Sequence, residues 1–258
     1  MIQLSINLNK IALIRNSRDT HLPDVTAMAR LVIAAGADGI TVHPRPDQRH
    51  IRADDCLSLK HAIDGELRNI ELNLEGNPFT SPCKSERAGV SDYPGFLALV
   101  EQVRPAQVTL VPDSDEQLTS DHGFALVKDG DRLRPIIEQL HEWGCRVSLF
   151  MDPEPESMER AAAIGADRIE LYTEQYAAAH LAGSWESVLP SYQATATAAQ
   201  SWGLGVNAGH DLNLDNLPDF KIPELLEVSI GHAFTVDCLL MGIGEAVSRY
   251  QRALGNTA

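Results

Sequence analysis

The strongest constraint in this chain is a rhythm. Short runs of β-branched and aliphatic residues recur eight times: LSINL (4–8), GITV (39–42), IELNL (70–74), QVTLV (107–111), RVSLF (146–150), RIEL (168–171), LGVN (204–207) and LEVSI (226–230). Between them lie longer stretches with apolar residues three and four apart, as in 25–35, 133–143 and 157–164, which is helical spacing. Gly36, Gly144, Gly165 and Gly203 stand where a helix should stop before the next strand. Alternating strands and helices imply a parallel sheet. Eight such units in 258 residues predict an α/β chain folded as a TIM (β/α)8 barrel, with 1–258 as one domain. A doubly wound open sheet is the alternative, but no GxGxxG follows the first strand and the first loop has no glycine. AAGADGI (34–40) and AIGADRI (163–169) read as echoes of one helix–turn–strand unit half a barrel apart. Two loop-rich stretches stand out, 76–94 after the third strand and 112–130 after the fourth, the second long enough for a lid.

Composition narrows the function. No run approaches the roughly 20 apolar residues of a membrane span, and the N-terminus lacks the basic and apolar regions of a secretory signal. Cys56, Cys83, Cys145 and Cys238 are far apart with no CxxC pair, which argues against a zinc site or a disulfide scaffold and suits a reducing cytoplasm. A formal net charge of −15 speaks against nucleic acid or anionic membrane as a partner. The charge is uneven. Residues 1–52 hold seven basic and four acidic side chains, a net of +3, and the other 206 residues carry −18. On charge alone this asymmetry is as well explained by chance patterning as by a site for a small anion.

In a TIM barrel the site forms where strands end and βα-loops begin. Read there, the chain offers Asn7, Asn9 and Lys10 after strand one, His43 and Arg45 after strand two, and Glu75 after strand three. Thr119 lies in the fourth loop, Glu170 on strand six, Asn207 and His210 on strand seven, and Gly231 and His232 after strand eight. Any one of these has a bland reading as a capping or solvated residue; their shared end of the barrel does not. Histidines and buried glutamates suit repeated proton transfer. They also suit a divalent metal, though no HxH or HExxH pair fixes two ligands, which favours metal-free acid/base work. VNAGHD (206–211) and SIGHAF (229–234) put Gly-His past strands seven and eight, where such barrels bind a phosphoryl group on loop amides and a helix N-terminus. Arg15, Arg18, Arg45 and Arg49 supply charge for a second anion. The residues themselves lead to acid/base chemistry on phosphorylated small molecules and to no particular substrate.

The segments NLNKIALIRNSR (7–18), GADGITVHPRPDQRHI (36–51), LNLEG (72–76), QVTLVPD (107–113), NAGHD (207–211) and SIGHA (229–233) resemble the pyridoxine 5′-phosphate synthase family. The resemblance runs from about residue 3 to about residue 250, in family order. It implies a TIM barrel with extra helices, assembled as a homo-octamer (a tetramer of dimers). It further implies cofactor-free condensation of 1-deoxy-D-xylulose 5-phosphate with 3-amino-2-oxopropyl phosphate. Carried over by motif, His43, Glu75 and His210 match the proton-transfer residues, and Glu170 the glutamate that stabilises the transition state. Asn7, Arg18, Gly231 and His232 match contacts to the amino-ketone phosphate; Arg45, His50 and Thr119 match contacts to the deoxyxylulose phosphate. Asp211, inside NAGHD, is expected among the substrate contacts. Lys10, Arg18 and Arg45 lie in the +3 segment, so the resemblance turns the charge asymmetry into a site.

Two departures mark this chain. Asn9 and Lys10 replace the Asp and His of the best-known members, a point charge in place of a neutral acid/base group. The spacing from His50 to Glu75 is a few residues longer than usual, making Glu71 a rival for Glu75; the Asn73-Leu74-Glu75-Gly76 pattern favours Glu75, with Glu71 inside the strand. A Schiff-base aldolase would want a lysine inside the barrel, and none of the eight runs contains one. A different phosphate-handling isomerase or lyase, or a non-catalytic sensor barrel, are the remaining alternatives; a sensor predicts loss of the proton-transfer set, which is intact.

Overall fold

A computed structural model describes residues 1–18, 20–114, 117 and 119–256. The chain runs β1 (Gln3–Asn7), α1 (Asn9–Asn16), α2 (Val25–Ala34), β2 (Gly39–Val42), α3 (Ala53–Asp64), β3 (Glu71–Gly76), α4 (Phe96–Val103), β4 (Gln107–Leu110) and α5 (Leu126–Glu142). It continues through β5 (Arg146–Met151), α6 (Met158–Ala163), β6 (Arg168–Tyr172), α7 (Glu174–Leu181), α8 (Leu189–Ser201), β7 (Gly205–Gly209), β8 (Leu225–Ile230), α9 (His232–Met241) and α10 (Ile243–Ala253). The eight strands pair in parallel in chain order, and β8 returns to β1 to close a barrel. Extra helices are present: two helices fill each of the β1–β2 and β6–β7 connections, while between β7 and β8 there is one 3-10 turn, Leu217–Asp219.

Alternation along each strand sorts the side chains. Leu4 and Ile6, Ile40 and Val42, Leu72 and Leu74, Val108 and Leu110, Val147 and Leu149, Ile169 and Leu171, and Val228 and Ile230 are fully or almost fully buried. They join the outer helices in one apolar core. The intervening positions bond across the barrel instead. Ser5 Oγ lies 2.7 Å from Thr41 Oγ1, Thr109 Oγ1 donates to Asn73 Oδ1 (3.1 Å), and Asn207 Nδ2 donates to Gln107 Oε1 (3.4 Å). The lumen is therefore polar, where TIM barrels commonly pack branched apolar residues.

At the N-terminal end of the strands the lumen closes with ions. Arg146 forks onto the carboxylate of Glu71, and Arg168 Nη1 sits 3.6 Å from Glu227 Oε2 and donates to Asn207 Oδ1 (3.0 Å). The echoed motifs share a job. Asp38, before β2, accepts from the Leu4 N–H of β1 (3.1 Å), and Asp167, before β6, accepts from the Val147 N–H of β5 (2.7 Å). Gly144 (φ 79°) and Gly165 (φ 94°) end α5 and α6 in the left-handed region, the helix stop that glycine permits.

The expected helix at 133–143 begins seven residues earlier. Pro135 lies inside α5 and is accommodated there, so neither it nor Gly130 starts the helix, and the loop after β4 is shorter than 112–130. Arg132 from this first half of α5 places its guanidinium 3.9 Å from the ring centroid of Phe79 in the loop after β3.

Candidate active site

A cavity of about 350 Å³ opens at the C-terminal ends of the strands. Its walls include Asn7, Asn9, Lys10, His43, Arg45, His50, Glu75, Thr119, Glu170, His210, Asp211, Gly231 and His232. These residues come from both halves of the chain and from most of the strands, so their meeting is a product of barrel closure.

Strand one gives way at once to a helix. Asn7 ends β1, its Oδ1 accepts the N–H of Asn9 (3.0 Å), and its Nδ2 donates to Glu75 Oε2 (3.3 Å). Asn9 begins α1 and its Oδ1 accepts the His43 N–H (2.9 Å). The substitution at position 9 thus serves as a clip between two loops. Lys10 follows on the cavity wall, and among the described residues it has no carboxylate in salt-bridge range.

His43 lies between two carboxyls: Nδ1 is 4.0 Å from Glu75 Oε2 and Nε2 is 4.0 Å from Asp113 Oδ2. Burial, then the charges of Arg45, His50 and Arg49, drives its pKa well below the ordinary value, so the ring is neutral near pH 7. His50 is lowered to about 3, by burial and then Arg45. Glu75 moves the other way, to about 8, through burial and then the charges of Asp113 and Glu227. Glu170 is also raised well above its usual value by burial, then by Glu75 and Glu227; Thr109 Oγ1 reaches its Oε2 at 3.5 Å. Burial in this lumen therefore favours the protonated form of both carboxyls.

Across the mouth, His210 and Asp211 have positive φ (83° and 57°), an unusual conformation for residues with a side chain. Nδ1 of His210 is 2.9 Å from Asp211 Oδ2, and Nε2 is 2.8 Å from Thr119 Oγ1. Tyr172 packs edge-on to the imidazole at 5.1 Å. Gly231 precedes α9, a ten-residue helix that begins at His232. Its N-terminus opens on the cavity beside Ser229, the arrangement that receives a phosphoryl group. Among the described residues no three His, Cys, Asp or Glu side chains converge to hold a metal ion.

The structure separates the four arginines. Only Arg45 reaches the cavity wall. Arg15 is buried in a forked ion pair with Asp55 (2.5 and 2.9 Å) and donates to the His50 carbonyl, so it shapes the loop after β2 instead of meeting an anion. Arg49 pairs with Asp47 and with the Gln117 carbonyl. Arg18, expected to contact substrate, is exposed just past α1 and outside the lining. Glu71 is the first residue of β3, held by Arg146 at the opposite end of the barrel from the cavity, and Glu75 is the one that faces His43. Sequence reasoning passed over Asp113, Ser120, Phe150 and Ser229. Asp113 stands one residue past VP at the end of β4, where the strand-end rule applies, and Thr119 drew the attention instead.

The chain matches, over residues 4–256, the family described as pyridoxal phosphate biosynthesis protein PdxJ. It belongs to that family. Among curated relatives, pyridoxine 5′-phosphate synthase of Xylella fastidiosa (strain 9a5c) is 52% identical over 250 residues, covering 96% of this chain and 93% of the relative. The enzyme of that name from Xanthomonas campestris pv. campestris (strain B100) is 53% identical over 249 residues, 96% and 94% of the two chains. Solved structures carry the fold much further than the sequence. The tryptophan synthase alpha subunit of Legionella pneumophila str. Paris superposes with a TM-score of 0.61 at 14% identity, covering 100% of this chain and 93% of that one. Thiamine phosphate pyrophosphorylase from Pyrococcus furiosus gives 0.54 at 13%, over 98% and 95%. For these PdxJ-distant barrels the likeness concerns architecture alone.

Proposed function

We propose that this member of the PdxJ family is a pyridoxine 5′-phosphate synthase. It condenses 1-deoxy-D-xylulose 5-phosphate with 3-amino-2-oxopropyl phosphate, giving pyridoxine 5′-phosphate, phosphate and water by acid/base catalysis without metal or cofactor. The observation that carries the reading is the convergence of His43, Glu75, Glu170 and His210 on one cavity whose rim offers Lys10, Arg45 and the N-terminus of α9 to phosphate.

The reaction asks for groups that exchange protons repeatedly. An amine adds to a ketone, a carbinolamine loses water, phosphate is eliminated, a carbon–carbon bond closes the ring, and a last dehydration and proton loss yield the aromatic product. Glu75 at about 8 is close enough to neutrality to serve as base once a cationic amine enters beside it, because a neighbouring ammonium favours the carboxylate. Neutral His43, in line with Glu75, passes protons to and from departing and attacking oxygens. His210, steadied by Asp211 and Thr119, does so from the opposite rim. Glu170, deeper and protonated, can donate a hydrogen bond to charge developing on the ring. Asn7, Gly231 and His232 take the amino-ketone phosphate; Arg18, exposed and outside the cavity lining, is not among the groups assigned to it. Arg45, His50, Thr119, Asn9, Lys10 and Asp211 take the deoxyxylulose phosphate.

The chain works as a soluble cytoplasmic homo-octamer, a tetramer of dimers, with no nucleic acid and no membrane as partner. Supporting this, no helix among the described residues is long and apolar enough to cross a membrane. Leu239 and Leu240 on α9 are 77% and 78% exposed, and α9 packs beside α1, which exposes Leu13 and Ile14; apolar groups on neighbouring helices suit contact with another copy.

The decisive experiment mixes purified protein with both phosphorylated substrates and follows inorganic phosphate together with the absorption of pyridoxine 5′-phosphate. Both should appear at one rate. Folded protein that produces neither overturns the reading. Glu75→Gln should stop turnover and leave phosphate binding, measured calorimetrically, within about threefold.

A further inference from the structure

Asp113 belongs to no strand and does not line the cavity, yet it holds three loops together. Its side chain is 4% exposed. Oδ2 accepts from Arg45 Nη2 (2.5 Å) and from Ser120 Oγ (2.8 Å), and its backbone carbonyl accepts from Asn77 Nδ2 (2.7 Å). The same Oδ2 faces Nε2 of His43 at 4.0 Å, while Glu75 faces Nδ1 at 4.0 Å. Oδ1 is buried and has no hydrogen-bond donor among the described residues.

A neutral imidazole carries one proton, and its neighbours decide which nitrogen holds it. On one side of His43 stands the Asp113 carboxyl, whose pKa burial raises while the Ser120 hydroxyl and the Arg45 guanidinium, both bonded to Oδ2, pull it back towards the carboxylate. On the other stands Glu75, whose carboxyl burial keeps in the protonated form, able to donate. An anionic acceptor at Nε2 and a donor at Nδ1 favour one tautomer. Helix α1 fixes the backbone of the same residue through Asn9, so the ring has little freedom to choose otherwise.

We propose that Asp113 is a positioning residue that holds His43 in the Nε2–H tautomer and leaves Nδ1 free to take a proton from Glu75. The inference rests on reading His43 and Glu75 as proton-transfer groups. Proton movement is then directional. Passing the proton from Glu75, near 8, to the less basic His43 is uphill; the Asp113 carboxylate, against which the resulting imidazolium lies, lowers that cost without accepting the proton. Closing the 4.0 Å gap by about 1 Å on substrate binding would complete the hydrogen bond.

The test has one arm that does not depend on catalysis. Nitrogen chemical shifts of ¹⁵N-histidine protein, with the His43 signals identified by their loss in His43→Gln, should show Nε2 protonated and Nδ1 bare at pH 7. In Asp113→Asn the two nitrogens should become a mixture. A wild-type His43 protonated at Nδ1, or a tautomer unmoved in Asp113→Asn, overturns the proposal whatever the reaction proves to be. In the second arm, Asp113→Asn should lower kcat about 100-fold, less than the roughly 10⁴-fold loss when the directly hydrogen-bonded carboxylate of a Ser-His-Asp triad becomes an amide, because Asp113 stands 4.0 Å from the ring. KM for each substrate should move less than about threefold, and Asp113→Glu should recover most of the loss. A loss confined to KM would mean that Asp113 serves only Arg45 and would overturn the tautomer role. Wild-type protein that makes no pyridoxine 5′-phosphate defeats the functional reading separately, and the nitrogen shifts still decide this one.

Discussion

Glu75 illustrates how one residue answers to two demands. Burial leaves its carboxyl 9% exposed and lifts its pKa to about 8. A carboxyl that binds its proton more tightly folded than unfolded adds stability at low pH and loses it as pH rises towards the folded value. The wild type should therefore lose stability between about pH 4.5 and 8, and Glu75→Gln, with no proton to lose, should melt about 2–6 °C higher than wild type at pH 8.5. Differential scanning calorimetry at pH 5 and 8.5 checks both the sign and the window. Since kcat/KM reports the free enzyme, it should climb with pH through a limb near 8 that is absent when another base replaces the carboxyl. Gly209 makes a steric demand of its own: a Cβ there would overlap Oε1 of Glu170. Gly209→Ala should displace that carboxylate and cut kcat by at least about tenfold while the fold persists, readable from turnover beside a circular dichroism melt. Much of this residue set was legible, because His43, Glu75 and His210 lie at strand ends and Glu170 is a carboxylate inside the apolar run of β6. Arg15 and Asp113 were not, since a guanidinium tied to Asp55 and a carboxylate tied to Arg45 look in sequence like any others.

At the level of elements, the rhythm of strands predicted the barrel, with boundaries displaced by one or two residues. A finer signal was also present. In a sheet covered on both faces by apolar groups, strands read as continuous hydrophobic runs; LSIN, LNLE, QVTL, RVSL and RIEL alternate instead. That alternation is the sequence signature of the polar lumen. Helix α5 was less legible because Gly130 and Pro135 resemble breakers, and only tertiary contacts such as Arg132 over Phe79 show the helix running through them. The repeated GAD motif has a structural role: Asp38 and Asp167 each accept the N–H of the second residue of a neighbouring strand. Asp167→Ala should cost about 1–2 kcal/mol, a drop of roughly 3–6 °C in Tm, with kcat unchanged; a melt unchanged within about 1 °C would show that solvent replaces the bond.

For the whole molecule, the charge distribution gains a location. The basic groups of residues 1–52 that reach the cavity are Lys10 and Arg45, so the field that matters to two phosphate esters is local while the net charge stays at −15. The proposed octamer should appear in light scattering as eight times the 28.2 kDa chain, and Leu239→Glu with Leu240→Glu should reduce it to smaller species. An unchanged mass would place the interfaces elsewhere. Chain length and element count made the barrel legible, whereas partner faces depend on which helices lie side by side, as α1 and α9 do. The polar lumen has one more consequence, for anyone who would improve this protein by selection. Its adhesive face points outward, so exchanging interior carboxyls and amides for aliphatic groups would harden the barrel with little resistance from packing. A screen for heat tolerance alone would drift towards variants with a dry, inert bore, and would discard the chemistry before it discarded the fold.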